Sequence, residues 1–228
     1  MKIIIPMSGV GKRFQEKGYE NPKYLLDVFK KPVIKHILSL FPGEKDINLI
    51  MNEEDYKDSK IMSSLNKIEN LNIHCIKKHK KGPGYALLVS GLLETEEEVF
   101  INYCDFANIW NWSEVKKYIK EKNPDGLLPA YKGLHLHTIY GSKYAFIKES
   151  NKNVISIKEK EPFTDNPREE YASTGGYYFS SGLQAKKYIE DLFTSNNLIN
   201  GEAYISSPYD LMIQDGLKVD VYNIDYFF

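Results

Sequence analysis

The residues best suited to chemistry stand near the N-terminus, in the loop Gly9-Val10-Gly11-Lys12-Arg13 that directly follows an apolar run. Glycines let the backbone approach a ligand closely, and successive backbone N–H groups in such a loop bind anions. Lys12, Arg13 and the later Lys23 supply three cations. Arginine suits a bidentate phosphate contact, whereas lysine acts as a point charge. The pattern therefore favours phosphate binding.

Two familiar phosphate-binding motifs are excluded at this loop. A P-loop needs Ser or Thr after Gly11-Lys12 and a Gly five positions before Gly11, and the sequence has neither. A dinucleotide fingerprint needs Gly where Phe14 stands. A Gly-x-Gly pair alone also fits a tight strand-to-helix turn. The nearby Pro22-Lys23 and Lys31-Pro32 favour the ligand site over that simpler interpretation.

A carboxylate and a second Gly-rich segment extend the candidate site. Asp105 ends an apolar run, and ligands bind outside the carboxyl ends of strands in open α/β sheets. Carboxylate oxygens suit Mg²⁺, although a turn-capping role for Asp105 stays open. His79 and its lysine neighbours precede Gly82-Pro83-Gly84. That cluster fits either a solvated basic loop or a contact with a nucleobase.

The elements that must position these residues alternate between strands and helices. Four apolar runs are typical of buried strands, namely 2–6, 47–51, 71–76 and 99–103, and helical patterns follow the first three at 33–40, 53–68 and 82–94. This alternation predicts βαβ units and a parallel sheet. Later runs predict strands at 126–131, 143–147, 154–158, 171–179 and 218–222, and helices at 182–193 and 202–215.

The sequence resembles the nucleotidylyltransferases that activate sugars and other phosphorylated metabolites. In that family a first strand leads into a Gly-x-Gly-x-Arg loop, then Pro-Lys, then a Lys-Pro helix start, as at Gly9–Arg13, Pro22-Lys23 and Lys31-Pro32 here. The resemblance implies that Arg13, Lys23 and Asp105 are catalytic and that Asp105 binds Mg²⁺. It implies that the nucleotide is bound by Met7, Ser8, Gly9, Gly11, Lys12, His79, Gly82 and Gly84.

The same resemblance covers the C-terminal half. Its Glu-Lys element and its acceptor-lining strand imply that a phosphorylated small molecule is bound by Glu159, Lys160, Ser173, Gly175, Gly176 and Glu202. Many members carry a second metal-binding Asp near the C-terminus. The one nearby carboxylate in this sequence is Asp225, which stands several positions before the place where the family has its second Asp. The resemblance implies Asp225 as the second Mg²⁺ ligand.

A narrower resemblance concerns the substrates. Asn102–Phe106, Lys160–Thr164, Glu170–Ser173 and Asn200–Tyr204 resemble a branch found with capsular-polysaccharide genes. That branch implies transfer from CTP to L-glutamine phosphate. The implied fold is α/β and Rossmann-like (GT-A-like), with a mixed, mainly parallel sheet flanked by helices. We expect one compact domain over 1–228, with a nucleotide half at about 1–110 and an acceptor half at about 111–228.

Composition limits the partners. Thirty basic and 31 acidic residues nearly cancel, which argues against nucleic acid, and no apolar run approaches the roughly 20 residues that span a bilayer. We expect a cytoplasmic protein whose Cys75 and Cys104, in neighbouring strands, are buried and reduced. Four residues are predicted to form a partly exposed wall on the acceptor side and not a metal site: Trp110, Trp112, His135 and His137.

Three alternatives stay open. The acceptor could be a sugar-1-phosphate, with UTP, GTP or dTTP as donor. A GT-A glycosyltransferase would normally need Asp-x-Asp, whereas the chain has Asp105-Phe106-Ala107. A catalytically silent nucleotide-binding protein would have no need to keep Lys23 and Asp105. The sequence does not predict the oligomeric state.

Overall fold

The computed structural model describes residues 1–9, 11, 14, 16–68, 71–133, 143–224 and 226–227. Within them the strands are β1 Lys2–Pro6, β2 Asp27–Val28, β3 Lys31–Pro32, β4 Ile47–Asn52, β5 Leu71–Ile76, β6 Val99–Asn102, β7 Asn108–Ile109, β8 Gly126–Tyr131, β9 Ala145–Ser150, β10 Asn153–Glu159, β11 Tyr171–Ser173, β12 Gly176–Phe179, β13 Val219–Asn223 and β14 Tyr226–Phe227. The α-helices are α1 Val33–Leu38, α2 Glu53–Lys57, α3 Ser59–Leu65, α4 Gly82–Ser90, α5 Trp112–Lys122, α6 Gly182–Thr194 and α7 Pro208–Gln214.

Ten strands form one mixed sheet in the order β11-β9-β10-β13-β8-β12-β6-β1-β4-β5. β1 pairs in parallel with β4 and β6, β5 pairs in parallel with β4, and β13 pairs in parallel with β8. The other pairings that the structure describes in this sheet are antiparallel, and β11 pairs with both β9 and β8. The expected α/β fold, a mixed sheet flanked by helices, is confirmed, but the expected excess of parallel pairing is not found among the described pairings, because the strands of the C-terminal half pair mostly antiparallel.

The parallel pairing of β1 and β6 positions the candidate site. Both strands are apolar, and β6 is buried throughout. Because the two strands are adjacent and parallel, the segments that follow them leave the sheet at the same edge. Met7–Gly9 and Tyr103–Asp105 are therefore brought together, although they are almost a hundred positions apart in the sequence.

The Gly-rich segment reaches the same edge through α4. This helix begins at Gly82, whose φ is +83°, and has proline in its first turn, where a missing N–H costs nothing. Gly84 N donates to Ala203 O at 2.9 Å, and Ala203 N donates to Lys81 O at 2.9 Å. The start of α4 is thus tied to a distant segment just before α7.

Several expectations from the sequence are wrong. No helix was expected at 112–122, where α5 forms, and Trp112 is not part of an exposed wall but is 2% exposed in the core. The run 171–179 is two strands, because Gly175 at φ +78° breaks it. The helix expected at 202–215 covers only 208–214.

The two cysteines also differ from expectation. Cys104 is buried, but Cys75 is exposed on β5. β1 and β4 lie between β6, which Cys104 follows closely, and β5, so the cysteines are not in neighbouring strands. Both thiols are free, as expected. Among the described helices, none has the length and apolar character needed to cross a membrane.

Candidate functional site

A cavity of about 590 Å³ opens at the carboxyl ends of β1 and β6. Most of the residues predicted from the sequence as binding or catalytic line it, namely Met7, Ser8, Gly9, Gly11, Lys23, His79, Gly82, Asp105, Glu159, Lys160, Ser173, Gly175 and Glu202. The cavity joins the N-terminal loop, the Gly-rich segment and the C-terminal half. Its position follows the general tendency of α/β sheets to bind ligands beyond strand ends.

Two predicted glycines do not line the cavity. A methyl group on Gly84 would come within 2.9 Å of Ala203 Cβ, and one on Gly176 would come within 3.0 Å of the Phe100 ring. Both positions therefore serve close packing behind the cavity. Lys12, Arg13 and Asp225, together with His135 and His137, lie outside the described residues.

Lys23 and Asp105 form an ion pair inside the cavity. Lys23 Nζ lies 2.6 Å from Asp105 Oδ2, and the two side chains are 28% and 36% exposed. Lys23 begins a short 3-10 turn after Pro22, and Asp105 follows β6. Burial by itself would lower the pKa of the Lys23 ammonium, but the Cys104 thiolate, which forms only at alkaline pH, and the Asp105 carboxylate more than offset it, so that its pKa is raised. Lys23 is therefore a permanent cation at neutral pH.

Cys104 is a neutral neighbour of this pair. Burial raises the pKa of its thiol to about 11, although the nearby Lys23 acts in the opposite direction. The thiol is consequently protonated near pH 7, and Asp105 alone balances the Lys23 charge in this contact. The pair can separate when a phosphate offers Lys23 a new anion and a cation offers Asp105 a new partner.

His79 presents a single donor to the cavity near Gly82. Lys81 N donates to His79 Nδ1 at 3.2 Å, so the neutral ring carries its proton on Nε2. Nε2 is buried and has no hydrogen-bond partner among the described residues. Burial and the charge of Lys81 lower the pKa of His79, and Glu202 opposes them only in part. His79 is therefore a neutral donor with an unused N–H.

Glu159 and Lys160 line the cavity where β10 ends. Ser206 Oγ donates to Glu159 Oε2 at 2.6 Å, and Lys160 Nζ lies 4.0 Å from Glu159 Oε1. Burial raises the pKa of Glu159, with Ser206 and Lys160 opposing it. Lys160 Nζ donates to the Tyr204 hydroxyl. Lys160 has a φ of +62°, a strained conformation for a residue with a side chain and one found often at ligand sites.

Asp105, beside Lys23 in the cavity, is the carboxylate considered for a metal ion. Among the described residues no group of three His, Cys, Asp or Glu side chains could hold a metal. Mg²⁺ is commonly bound by one or two carboxylates together with substrate phosphates and water. The carboxylate oxygens of Asp105 fit such a site, in which phosphate and water oxygens would complete the coordination of the metal.

Comparison with known proteins agrees on the architecture. No protein-family model matches the sequence, and no curated protein matches it. A nucleoside-diphosphate-sugar pyrophosphorylase from Vibrio cholerae RC9 superposes with a TM-score of 0.72 at 21% identity, over 97% of this chain and 91% of that one. A UDP-glucose pyrophosphorylase complexed with UDP-glucose gives 0.74 at 18% identity, over 99% and 90%. The inositol-1-phosphate CTP transferase from T. maritima gives 0.72 at 18%, over 97% and 84%.

This chain has their fold. At such low identities the likeness concerns the arrangement of strands and helices, and the roles of individual side chains have to be argued from this chain's own geometry. The similarity in fold covers both halves of the chain.

Sequence reasoning missed several residues that line the cavity. Two are cations, Lys80 and Lys143, and the others of interest are aromatic, namely Tyr103, Phe106, Tyr144, Tyr177 and Tyr204. Lys80 stands in a run of lysines and Lys143 stands alone between turn and apolar residues, so residue type by itself gave no reason to select either. The aromatic residues come from four separate segments, and an isolated tyrosine in a strand is usually part of the core.

Proposed function

We propose that this protein is a Mg²⁺-dependent nucleotidylyltransferase that joins a nucleotide to a phosphorylated small molecule and releases pyrophosphate. The observation that carries the proposal is the Lys23–Asp105 pair, 2.6 Å long, in a cavity that reaches from the Gly9–Gly11 loop to Lys160. One end thus offers backbone and cationic groups for a triphosphate, and the other offers a cation for an acceptor phosphate. The names of the structural neighbours, pyrophosphorylases and a CTP transferase, support this proposal.

The chemistry requires positioning more than proton transfer. An acceptor phosphate oxygen attacks the α-phosphorus, the bond from that phosphorus to the β-phosphate bridging oxygen breaks, and pyrophosphate leaves. A phosphate monoester has a second pKa of about 6, so its oxygen is largely ionised near pH 7 and needs no general base. The protein has to hold two repelling anions together and neutralise the charge of the leaving group.

Each cation has a proposed task in that reaction. Lys160 would bind the acceptor phosphate, and Lys23 would stabilise charge that develops at the α-phosphate. Arg13 would hold the β- and γ-phosphates because of its place in the loop. Asp105, with Asp225 as the proposed second ligand, would hold Mg²⁺, which supplies neutralisation of phosphate charge when bound. Met7, Ser8 and Gly9 follow β1 and would line the triphosphate.

The finer proposal is CTP as donor and L-glutamine phosphate as acceptor. His79 supports a nucleobase contact, since its unused Nε2–H matches an acceptor atom that every base carries, and the choice of CTP comes from the motif resemblance. The motifs around Tyr103–Phe106 and Tyr171–Ser173 support the acceptor by resemblance. A sugar-1-phosphate, with UTP, GTP or dTTP, is the second candidate, because the named sugar pyrophosphorylases share the fold.

Pyrophosphate release tests this function directly. The protein is mixed with CTP, UTP, GTP or dTTP, and separately with glutamine phosphate, glucose-1-phosphate or no acceptor, with Mg²⁺ or with excess chelator. We expect release only with an acceptor and Mg²⁺, and fastest with CTP and glutamine phosphate. Release with a sugar phosphate would overturn the finer proposal alone. Absence of release in every mixture, or full activity in chelator, would overturn the general one.

A further inference from the structure

We propose that the acceptor carries a positively charged ammonium group as well as its phosphate, and that Glu159 binds this ammonium against a wall of tyrosines. The inference rests on the proposed function and concerns the part of the cavity beyond Lys160. It assigns a charge to the acceptor and names the residue that selects it. Amino-acid phosphates and phosphorylated amino alcohols both belong to this chemical class.

Glu159 is a buried carboxylate whose charge is poorly compensated by the protein. Its side chain is only 7% exposed, and one neutral hydroxyl, Ser206, donates to Oε2. The nearest cation that the structure describes is Lys160 Nζ, 4.0 Å from Oε1. Taking a carboxylate out of water is costly unless a close cation or several donors compensate for it, and the raised pKa of Glu159 reflects that cost.

Lys160 is committed elsewhere, which leaves Glu159 for the ligand. Its Nζ donates to the Tyr204 hydroxyl and lies 3.8 Å from the centre of the Tyr204 ring. In the proposed reaction Lys160 Nζ binds the acceptor phosphate and is therefore less available to compensate the charge of Glu159. A molecule with a phosphate at Lys160 and an ammonium at Glu159 would compensate both side chains at once.

The surroundings of Glu159 are aromatic. Tyr103 and Tyr177 line the cavity with ring centres 5.5 Å apart. Ser206, which donates to Glu159, is also hydrogen-bonded to the Tyr177 hydroxyl, whose pKa is raised by burial and then by the charge of Glu159. Aromatic rings attract ammonium groups through their electron-rich faces. A carboxylate beside two such rings is a setting that favours a cation.

A sugar acceptor finds fewer partners in the same place. Among the described residues that line the cavity none is Asn or Gln, the side chains that pair readily with hydroxyl groups. Asp105 is paired with Lys23, and Glu202 lies beside Gly82, where it influences His79 at the nucleotide side. Glu159 is therefore the carboxylate available to the acceptor. A single buried negative charge binds an ammonium group more favourably than it binds several neutral hydroxyl groups.

The test compares acceptors that differ in charge but not in shape. Phosphocholine and its carbon isostere 3,3-dimethylbutyl phosphate differ only in that a quaternary nitrogen replaces a carbon. Phosphoethanolamine and glutamine phosphate represent primary ammonium groups, and glucose-1-phosphate represents neutral hydroxylated acceptors. Pyrophosphate release is measured with the wild-type protein, Mg²⁺ and an equimolar mixture of CTP, UTP, GTP and dTTP, so that the result does not depend on the base.

We expect kcat/KM for at least one ammonium acceptor to exceed that of the neutral acceptors by about tenfold or more, the size expected for a desolvated cation contact. The rates with phosphocholine, phosphoethanolamine and glutamine phosphate then show whether the preferred acceptor is a phosphorylated amino alcohol or an amino-acid phosphate. Equal rates for phosphocholine and its isostere, with neither primary ammonium acceptor faster, or faster release with glucose-1-phosphate, would overturn the inference and leave the proposed function standing. No release with any acceptor would overturn both.

A Glu159→Gln variant identifies the residue. Glutamine keeps an oxygen that accepts from Ser206 but removes the negative charge. We expect KM for the preferred ammonium acceptor to rise about tenfold or more and KM for the neutral acceptor to rise by a clearly smaller factor. Glu161→Gln is the matched control, because Glu161 is 68% exposed, pairs with Lys158 and does not line the cavity. An equal rise for both acceptors would indicate a structural role and overturn the assignment to Glu159.

Discussion

Glu44 and Glu159 are both largely buried glutamates that accept hydrogen bonds, yet their environments shift their pKa values in opposite directions. Glu44 accepts from Trp112 Nε1 and from Lys116 Nζ, each at 2.8 Å. Burial alone would raise the pKa of Glu44, but these two donors lower it. Burial raises the pKa of Glu159 because one hydroxyl and a lysine 4.0 Å away do not offset it.

The comparison contrasts a region whose charged group is satisfied within the protein with the region where we propose that a ligand binds. Around Glu44 the aromatic rings contact each other edge to face, with Phe41 and Trp112 centres 5.0 Å apart at 90°. The charge of Glu44 is satisfied within the protein, so that region is complete by itself. Around Glu159 the rings border a cavity, and the charge is compensated best by something that enters it. Four predictions test whether the two regions differ in this way, starting with the largest effect.

Asp105→Asn should abolish pyrophosphate release while the protein stays folded. Asparagine keeps the shape of the side chain but removes the charge that Mg²⁺ and Lys23 need. Turnover and the thermal unfolding midpoint are measured together. Asp215→Asn serves as a control, since Asp215 is also paired with a lysine, at 3.4 Å, but is distant from the cavity lining. Substantial turnover by Asp105→Asn would remove this carboxylate from the mechanism.

Lys23→Ala should lower turnover by at least about a hundredfold, the usual effect of losing one charge-stabilising group. The control is Lys186→Ala, which breaks an ion pair of the same 2.6 Å length with Glu94 outside the cavity. Steady-state pyrophosphate release and circular dichroism are compared for the two variants. The hypothesis fails if a well-folded Lys23→Ala protein turns over like Lys186→Ala.

Glu44→Ala should do the reverse and cost stability without affecting turnover. Trp112 is 2% exposed, so its indole N–H would lose a partner in the interior. An unsatisfied buried donor costs on the order of 1–3 kcal/mol in the free energy of unfolding. Urea unfolding measures that cost, and pyrophosphate release at saturating substrate gives the comparison. A marked fall in turnover at unchanged stability would contradict the division between the two regions.

The smallest expected effect is the pH dependence of the stability that the Glu44 charge contributes, measured with a Glu44→Gln variant. Because the folded state lowers the pKa of Glu44, its ionised form contributes stability above the ordinary glutamate pKa of about 4.3. This contribution is lost as the pH falls through the lowered pKa. The difference in unfolding free energy between wild type and Glu44→Gln should therefore shrink between pH 6 and pH 3. A difference that grows as the pH falls from 6 to 3 would contradict a lowered pKa of Glu44 in the folded protein.

Much of the fold could be predicted because its signals are local. Apolar runs gave β1, β5 and β8 with their observed bounds, and the helical pattern before residue 194 gave α6 almost completely. The helix α5 was missed although its signal is also local, because Trp112, Val115 and Ile119 recur at helical spacing and Asn111 caps the start of the helix. The tertiary structure adds the packing of Trp112 against Phe41 from a distant segment.

The N-terminal loop, Lys23 and Asp105 could be selected as candidates from the sequence by itself, because residue type, the ends of apolar runs and motif spacing are local properties of the chain. Whether Glu159 would be compensated like Glu44 was decided by the tertiary structure alone. That outcome depends on which segments the sheet order brings next to each carboxylate. Tyr103 and Tyr177, separated by 74 positions, meet because β6 and β12 pair. Burial and charge compensation are properties of such long-range contacts, and no local pattern encodes them.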